Sequence, residues 1–91
     1  MPRPKFVYGD PELLKKNIQF LRKRKRLSRV DFSKYIGMSH AYLECIEYGY
    51  MDALIQEDLE KISEVFSIPG EEIVTIDLEE KYAAKRFRYS R

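Results

Sequence analysis

The chain has 91 residues and a mass of 10.9 kDa, which suits one compact domain and is too short for two. Hydrophobic residues make up 44% and charged residues 35%, so we expect one modest core that self-association would help to stabilise. No segment approaches the roughly 18 consecutive apolar residues of a membrane span, and no apolar secretory signal follows the start. We therefore expect a cytoplasmic protein.

The chain contains one cysteine, Cys45, and one histidine, His40. A single cysteine excludes an intrachain disulfide and a thiolate-rich zinc site, and a single histidine makes catalytic pairs and metal clusters hard to assemble. We expect no enzymatic activity, no catalytic residue, no metal site and no cofactor.

The net charge of +2 hides a strong division along the chain. Residues 1–36 hold eleven Lys or Arg against three acids, residues 37–80 hold one base against twelve acids, and residues 81–91 hold five bases and no acid. Such asymmetry indicates a polyanionic partner or a self-complementary assembly.

The first part of the chain predicts an arm and a basic helix. Residues 1–10 are interpreted as an N-terminal arm, although Phe6 to Tyr8 also fits a short edge strand, and we leave this open. Asp10, Pro11 and Glu12 are typical of a helix start. Helix 1 is expected to run to about Lys25, with one buried stripe, namely Leu14, Ile18 and Leu21.

Two short helices with a tight turn are expected next. Ser28 with Asp31 resembles a capping box, and the second helix should run to Ile36 and stop at Gly37. Ser39 is a further N-cap, so a third helix should span His40 to Tyr48. This pattern predicts a helix-turn-helix. On a helical wheel the third helix has a core side and an outward side, the former with Tyr42, Leu43 and Ile46, the latter with His40, Ala41, Glu44, Cys45 and Tyr48.

The rest of the chain predicts further helices. An irregular stretch from Tyr50 to Ile55 should precede helix 4, which carries Leu59, Ile62, Val65 and Phe66 at helical spacing. A short fifth helix should include Ile73 and Val74, although residues 73–76 also fit a strand. Asp77 with Glu80 predicts a final helix. We expect residues 11–76 to form the domain and residues 77–91 a basic C-terminal extension.

Several capping and core positions fall in order at characteristic spacing: Ile18 to Lys23, Leu27 and Ser28, Ile36 to Ser39, Tyr42 and Leu43, Ile46 to Gly49, Leu59 to Ile62, and Ile68 to Glu72. With these positions, residues 14–74 resemble the Xre family of helix-turn-helix domains, which occur in phage repressors, Cro proteins, restriction controller proteins and many antitoxins. The resemblance implies an all-α, five-helix repressor-like DNA-binding domain, here with a helical C-terminal extension.

The resemblance also implies a DNA-binding site. Arg29 falls where the family often has a phosphate-contacting Gln, and the outward residues of helix 3 fall at base-facing positions, which gives the set Arg29, Ser39, His40, Ala41, Glu44, Cys45 and Tyr48. Three features depart from the family pattern: Glu44 and Cys45 replace small polar or basic residues, Tyr48 replaces a frequent Arg or Lys, and the loop from Tyr50 to Ala53 lacks bases. We expect a homodimeric, sequence-specific transcriptional regulator on double-stranded DNA.

Each feature also has a simpler interpretation. Glu44 can accept from cytosine N4 or be a solvated helix residue. The run Arg22 to Arg26 can supply phosphate affinity or be the solvated end of helix 1. The basic tail, residues 85–91, can contact DNA or the acidic middle of a second subunit. The alternative function is a protein-interaction module, an antirepressor or assembly factor, with Tyr48, Tyr50 and Met51 in its contact surface.

Overall fold

A computed structural model describes residues 3–89, with side chains for residues 3–83. This part of the chain is mostly helical, with six helices and a minor two-stranded sheet. The elements in chain order are β1 (Phe6–Tyr8), α1 (Pro11–Arg24), α2 (Arg29–Ile36), α3 (His40–Glu47), β2 (Ala53–Ile55), α4 (Gln56–Phe66), α5 (Gly70–Thr75) and α6 (Leu78–Tyr89). None of the helices in residues 3–89 is long and apolar enough to cross a membrane.

The first three helices begin where local capping predicts. The Asp10 carboxylate accepts a hydrogen bond from the Leu13 N–H at 3.0 Å, and the Ser28 hydroxyl accepts one from the Asp31 N–H at 3.1 Å. The Ser39 hydroxyl accepts one from the Tyr42 N–H at 3.3 Å. These bonds satisfy N–H groups that have no partner inside the helix. The three predicted N-caps are therefore confirmed, and Gly37, at φ +83°, closes α2 in the left-handed conformation.

The core is built around α1, which packs against α3, α5 and α6. Its predicted stripe, Leu14, Ile18 and Leu21, is fully buried. Asn17 is buried on the same helix and donates its side-chain amide to the Ile73 and Ile76 carbonyls at 2.8 and 2.7 Å. Its side-chain oxygen accepts from the Leu78 N–H at 3.0 Å. One buried amide thus satisfies three backbone groups where α5 turns into α6.

A small antiparallel sheet modifies the expected all-helical fold. Phe6 pairs with Ile55, Val7 with Leu54 and Tyr8 with Ala53. The strand alternative for residues 6–8 is therefore the one observed, and the prediction of an irregular stretch from residue 50 to 55 was wrong for its last three residues. Local sequence could not reveal β2, because its partner strand lies about fifty residues earlier.

The C-terminal part is helical where the sequence left two choices. Residues 70–75 form α5, so the strand alternative for residues 73–76 is excluded. The predicted final helix is present as α6, whose start is capped by Asp77, which accepts from the Glu80 N–H at 3.1 Å. Leu78 is fully buried in the shared core. The side chains of the basic tail, residues 85–91, lie outside the described part, and so do both interpretations of it.

Candidate nucleic-acid interface

The α2–α3 pair forms a compact corner. Only Gly37, Met38 and the cap Ser39 separate the two helices. The N–H groups of Gly37 and Met38 both donate to the Ser33 carbonyl, at 2.8 and 2.9 Å, and the Met38 side chain is buried. The turn is thus fixed from inside, which sets the direction of α3.

The inward side of α3 is anchored in the core. Leu43 and Ile46 are fully buried. Tyr42 is half-buried, and its hydroxyl donates to the Ala53 carbonyl at 3.1 Å and accepts from the Ile55 N–H at 3.0 Å. Burial raises the pKa of Tyr42 above its usual value, against the opposing effect of the Ile55 hydrogen bond. The three residues predicted to face the core therefore hold α3 against β2 and the core.

The outward side of α3 presents the predicted residues at different depths. His40 and Ala41 are exposed, Glu44 and Cys45 are half-buried, and half of Tyr48 is accessible. The His40 Nε2 lies 4.0 Å from the Glu44 carboxylate one turn later. Ser39 acts at the helix start, where its hydroxyl is engaged in the cap. This side of α3 therefore remains open over its first turn and at its end.

Arg29, at the start of α2, lies beside the end of α3. Its Nε donates to Glu47 at 3.1 Å, and its guanidinium carbon lies 5.3 Å from the centroid of the Tyr48 ring. The hydrogen bond to Glu47 raises the pKa of Arg29, whose side chain is 34% exposed. Arg29 is thus held in one place by a carboxylate and an aromatic face, while part of it still reaches solvent.

Glu47 is the residue that sequence reasoning missed. Its side chain is fully enclosed and accepts from Arg22 Nε at 2.8 Å and Nη2 at 2.9 Å, in addition to Arg29. A signal was present, because Glu47 follows Leu43 by four residues and so lies on the buried side of α3. A carboxylate there predicts a buried cationic partner, but not which one.

The basic run at the end of α1 is not a uniform phosphate-binding surface. Arg22 is only 13% exposed, and its guanidinium donates to the Glu47 carboxylate and to the Leu27 carbonyl. Arg24 lies over the Phe20 ring at 5.5 Å, and the Lys25 ammonium lies 5.6 Å from the Phe66 ring centroid. Lys23 and Arg26 are exposed. Arg22 therefore links α1 to α3, and phosphate contact by the run stays a prediction that its exposed members carry.

An exposed aromatic pair adjoins the end of α3. The ring centroids of Tyr48 and Tyr50 are 6.0 Å apart, and the two residues are 50% and 76% exposed. Met51 is different: it is half-buried and packs against the core, so it does not extend this patch.

No family model, no curated protein and no solved structure matches this chain. Within the described residues, no group of three or more His, Cys, Asp or Glu is placed to hold a metal ion.

Proposed function

We propose that this chain is a DNA-binding transcriptional regulator that inserts α3 into the major groove of double-stranded DNA. The observation that carries the proposal is the open outward side of α3, held at a fixed angle to α2 by the turn and by the Arg22–Glu47–Arg29 ion pairs. A major groove is wide enough to admit one α-helix, and a rigid support keeps the reading side chains in register.

The chemistry of this side fits a division of labour. Arg29, at the N-terminus of α2, would donate to a phosphate. Its hydrogen bond to Glu47 uses only the Nε–H of the guanidinium, and one-third of the side chain is accessible to a further acceptor. A phosphate contact fixes position without reading sequence. His40 can donate to a base edge from the first turn of α3, and Glu44 can accept from cytosine N4. Ala41 and Cys45 provide small surfaces next to them.

We further propose that two copies bind a two-fold operator in the cytoplasm. Bound there, they would act at a promoter, either by occluding it or by recruiting other proteins to it. A single helix of eight residues contacts few base pairs, so pairing two copies increases both affinity and specificity.

The test begins with selection of bound sequences from a random duplex library, followed by fluorescence anisotropy at two salt concentrations. Arg29→Ala should weaken binding to every duplex. It should also make the slope of log K against log salt concentration shallower by about one, as expected for the loss of one phosphate contact. His40→Ala and Glu44→Ala should instead change the selected sequence. Lys61→Ala, an exposed base on α4, is the control and should bind as the wild type does. Thermal melts of each variant separate lost binding from lost folding, because Arg29 also contacts Glu47.

Two outcomes would contradict the proposal. One is absence of binding to any duplex at low salt by a folded wild-type chain. The other is equal strengthening of binding to all sequences by Glu44→Ala, which would show that the carboxylate only repels phosphate.

A second candidate function is a protein-interaction module on the same corner, such as an antirepressor or an assembly factor. The observation that favours it is the exposed Tyr48–Tyr50 pair, because exposed aromatic side chains are typical of interface hot spots. Failure of duplex binding, together with intact folding, would favour this function.

A further inference from the structure

In the two-stranded sheet, a side chain covers part of the outer edge of β2. In β2, the N–H of Ile55 and the carbonyl of Ala53 point away from β1, and both are bound by the Tyr42 hydroxyl. The Tyr42 hydroxyl therefore occupies two of the backbone groups that another strand would need on this side of the sheet.

The other edge, along β1, is open. The Gln56 N–H donates to the Lys5 carbonyl and the Gly9 N–H donates to the Asp52 carbonyl, both at 2.8 Å. In an antiparallel pair the hydrogen-bonded residues alternate, so residues 5, 7 and 9 face β2 while residues 6 and 8 face outward. Within residues 3–83, the backbone groups of Phe6 and Tyr8 form no hydrogen bond. Their side chains are also exposed, by 44% and 71%.

We propose that the open edge of β1 pairs with the same edge of a second copy of this chain, antiparallel about a two-fold axis at Val7. This pairing would form the dimer of the proposed function and rests on that function only in assuming a dimer, because strand pairing is measured without DNA. The product is a four-stranded sheet in the order β2, β1, β1, β2.

The backbone geometry fits this register. With Val7 opposite the partner's Val7, Phe6 and the partner's Tyr8 form a hydrogen-bonded pair, and the symmetry repeats it, so four outward N–H groups meet four outward carbonyls. Phe6 also comes directly opposite the partner's Tyr8 on one face of the sheet, where cross-strand aromatic contacts stabilise pairing. Pro4 has no N–H to offer and limits the pairing to this short segment.

The charges favour the antiparallel direction. Arg3 and Lys5 are exposed and precede β1, whereas Asp10 follows it. Tyr8 also borders a groove that includes the exposed acids Glu64 and Glu71. Antiparallel pairing brings the basic start of each strand beside the acidic end of the other, while parallel pairing would bring like charges together. A second copy of the chain is therefore a complementary partner for this edge.

The first test is sedimentation velocity of the full chain without DNA, over about 1 to 200 µM, since a short strand interface predicts a dimer in the micromolar range. Tyr8→Pro removes one outward N–H and keeps every inward hydrogen bond, a place where an edge strand tolerates proline. We expect it to weaken dimerisation by at least about tenfold. Tyr8→Ala, which keeps the N–H, should weaken it less. Tyr35→Ala, which removes an exposed aromatic from α2, is the control and should leave it unchanged.

A cysteine experiment tests the register and does not depend on the proline variant. In a Cys45→Ser background, Val7→Cys places two thiols opposite each other, at a Cα separation of about 4.5 Å that a disulfide can span. Under oxidised glutathione, the Val7→Cys variant should cross-link at least about tenfold faster than the Tyr8→Cys variant. In the proposed register the thiol of Tyr8→Cys lies opposite the partner's Phe6 and not opposite a second thiol.

Three results would overturn the proposal: a wild-type chain that stays monomeric throughout the concentration range, a folded Tyr8→Pro variant that dimerises as the wild type does, or a Val7→Cys variant that cross-links no faster than Tyr8→Cys. If Tyr8→Pro fails to fold, the cysteine pair decides. None of these measurements involves DNA, so failure of strand pairing and failure of DNA binding are told apart.

Discussion

Replacing Glu47 by glutamine is the most direct test of what stabilises the corner formed by α2 and α3. Glu47 is 1% exposed and receives three hydrogen bonds from guanidinium groups, two from Arg22 and one from Arg29, at 2.8, 2.9 and 3.1 Å. Glutamine keeps the shape and one acceptor oxygen. Its amide nitrogen, however, places a donor against a guanidinium donor and leaves two cations without their counter-charge.

The size of the effect follows from this geometry. A lost charge-assisted hydrogen bond costs about 1.5 to 3 kcal/mol, and breaking a buried ion pair by changing one partner costs about 3 to 5 kcal/mol. We expect Glu47→Gln to lower the free energy of unfolding by about 3 kcal/mol, out of roughly 5 to 14 kcal/mol for a domain of this size. With a urea slope of about 1 kcal/mol per molar, the unfolding midpoint should fall by about 3 M.

The assay is urea unfolding followed by the helical circular dichroism signal. Glu44→Gln is the matched control on the same helix, because its carboxylate is 37% exposed and lies 4.0 Å from the His40 imidazole, without a buried ion pair. It should change the free energy of unfolding by less than about 0.5 kcal/mol. A loss below about 1 kcal/mol for Glu47→Gln, at an unchanged slope, would refute the view that the carboxylate charge holds the corner together.

Two further predictions concern the sheet and the start of α6. Tyr42→Phe leaves the Ile55 N–H and the Ala53 carbonyl without their partner, so the free energy of unfolding should fall by about 1 to 2 kcal/mol and the Ile55 amide should exchange hydrogen faster. Unchanged exchange at Ile55 would contradict its protection by the Tyr42 hydroxyl. At Asp77, the hydrogen bonds from Lys16, at 2.7 Å, and from the backbone lower the pKa of the carboxyl below 3.8. The stability that this charge contributes is therefore present above that value and is lost as the pH falls through the lowered pKa. The melting temperature should fall less on acidification for Asp77→Asn than for the wild type. If the two melting temperatures fall in parallel as the pH is lowered, the contribution of the Asp77 charge is contradicted.

The starts of α1, α2 and α3 could be predicted from the sequence because each depends on neighbours three residues apart. Asp10, Ser28 and Ser39 cap N–H groups within their own helices, and Gly37 closes α2 by its own backbone freedom. The inward side of α3 was predictable for the same reason, since helical periodicity alone puts Leu43 and Ile46 on one face. Local chemistry thus specifies the α2–α3 corner and the outward position of His40 and Ala41.

The tertiary structure decided which distant groups meet. Glu47 binds Arg22 from twenty-five residues away, and Asn17 binds the Leu78 N–H from sixty-one residues away. The sequence does not distinguish the five adjacent cations Arg22 to Arg26. In the structure Arg22 points inward because it pairs with the buried Glu47 carboxylate, whereas the other four lie at the surface. Likewise β2 exists because β1 reaches it across the fold. No local pattern encodes such pairings, because they depend on how whole helices pack and on which buried polar groups must then be satisfied.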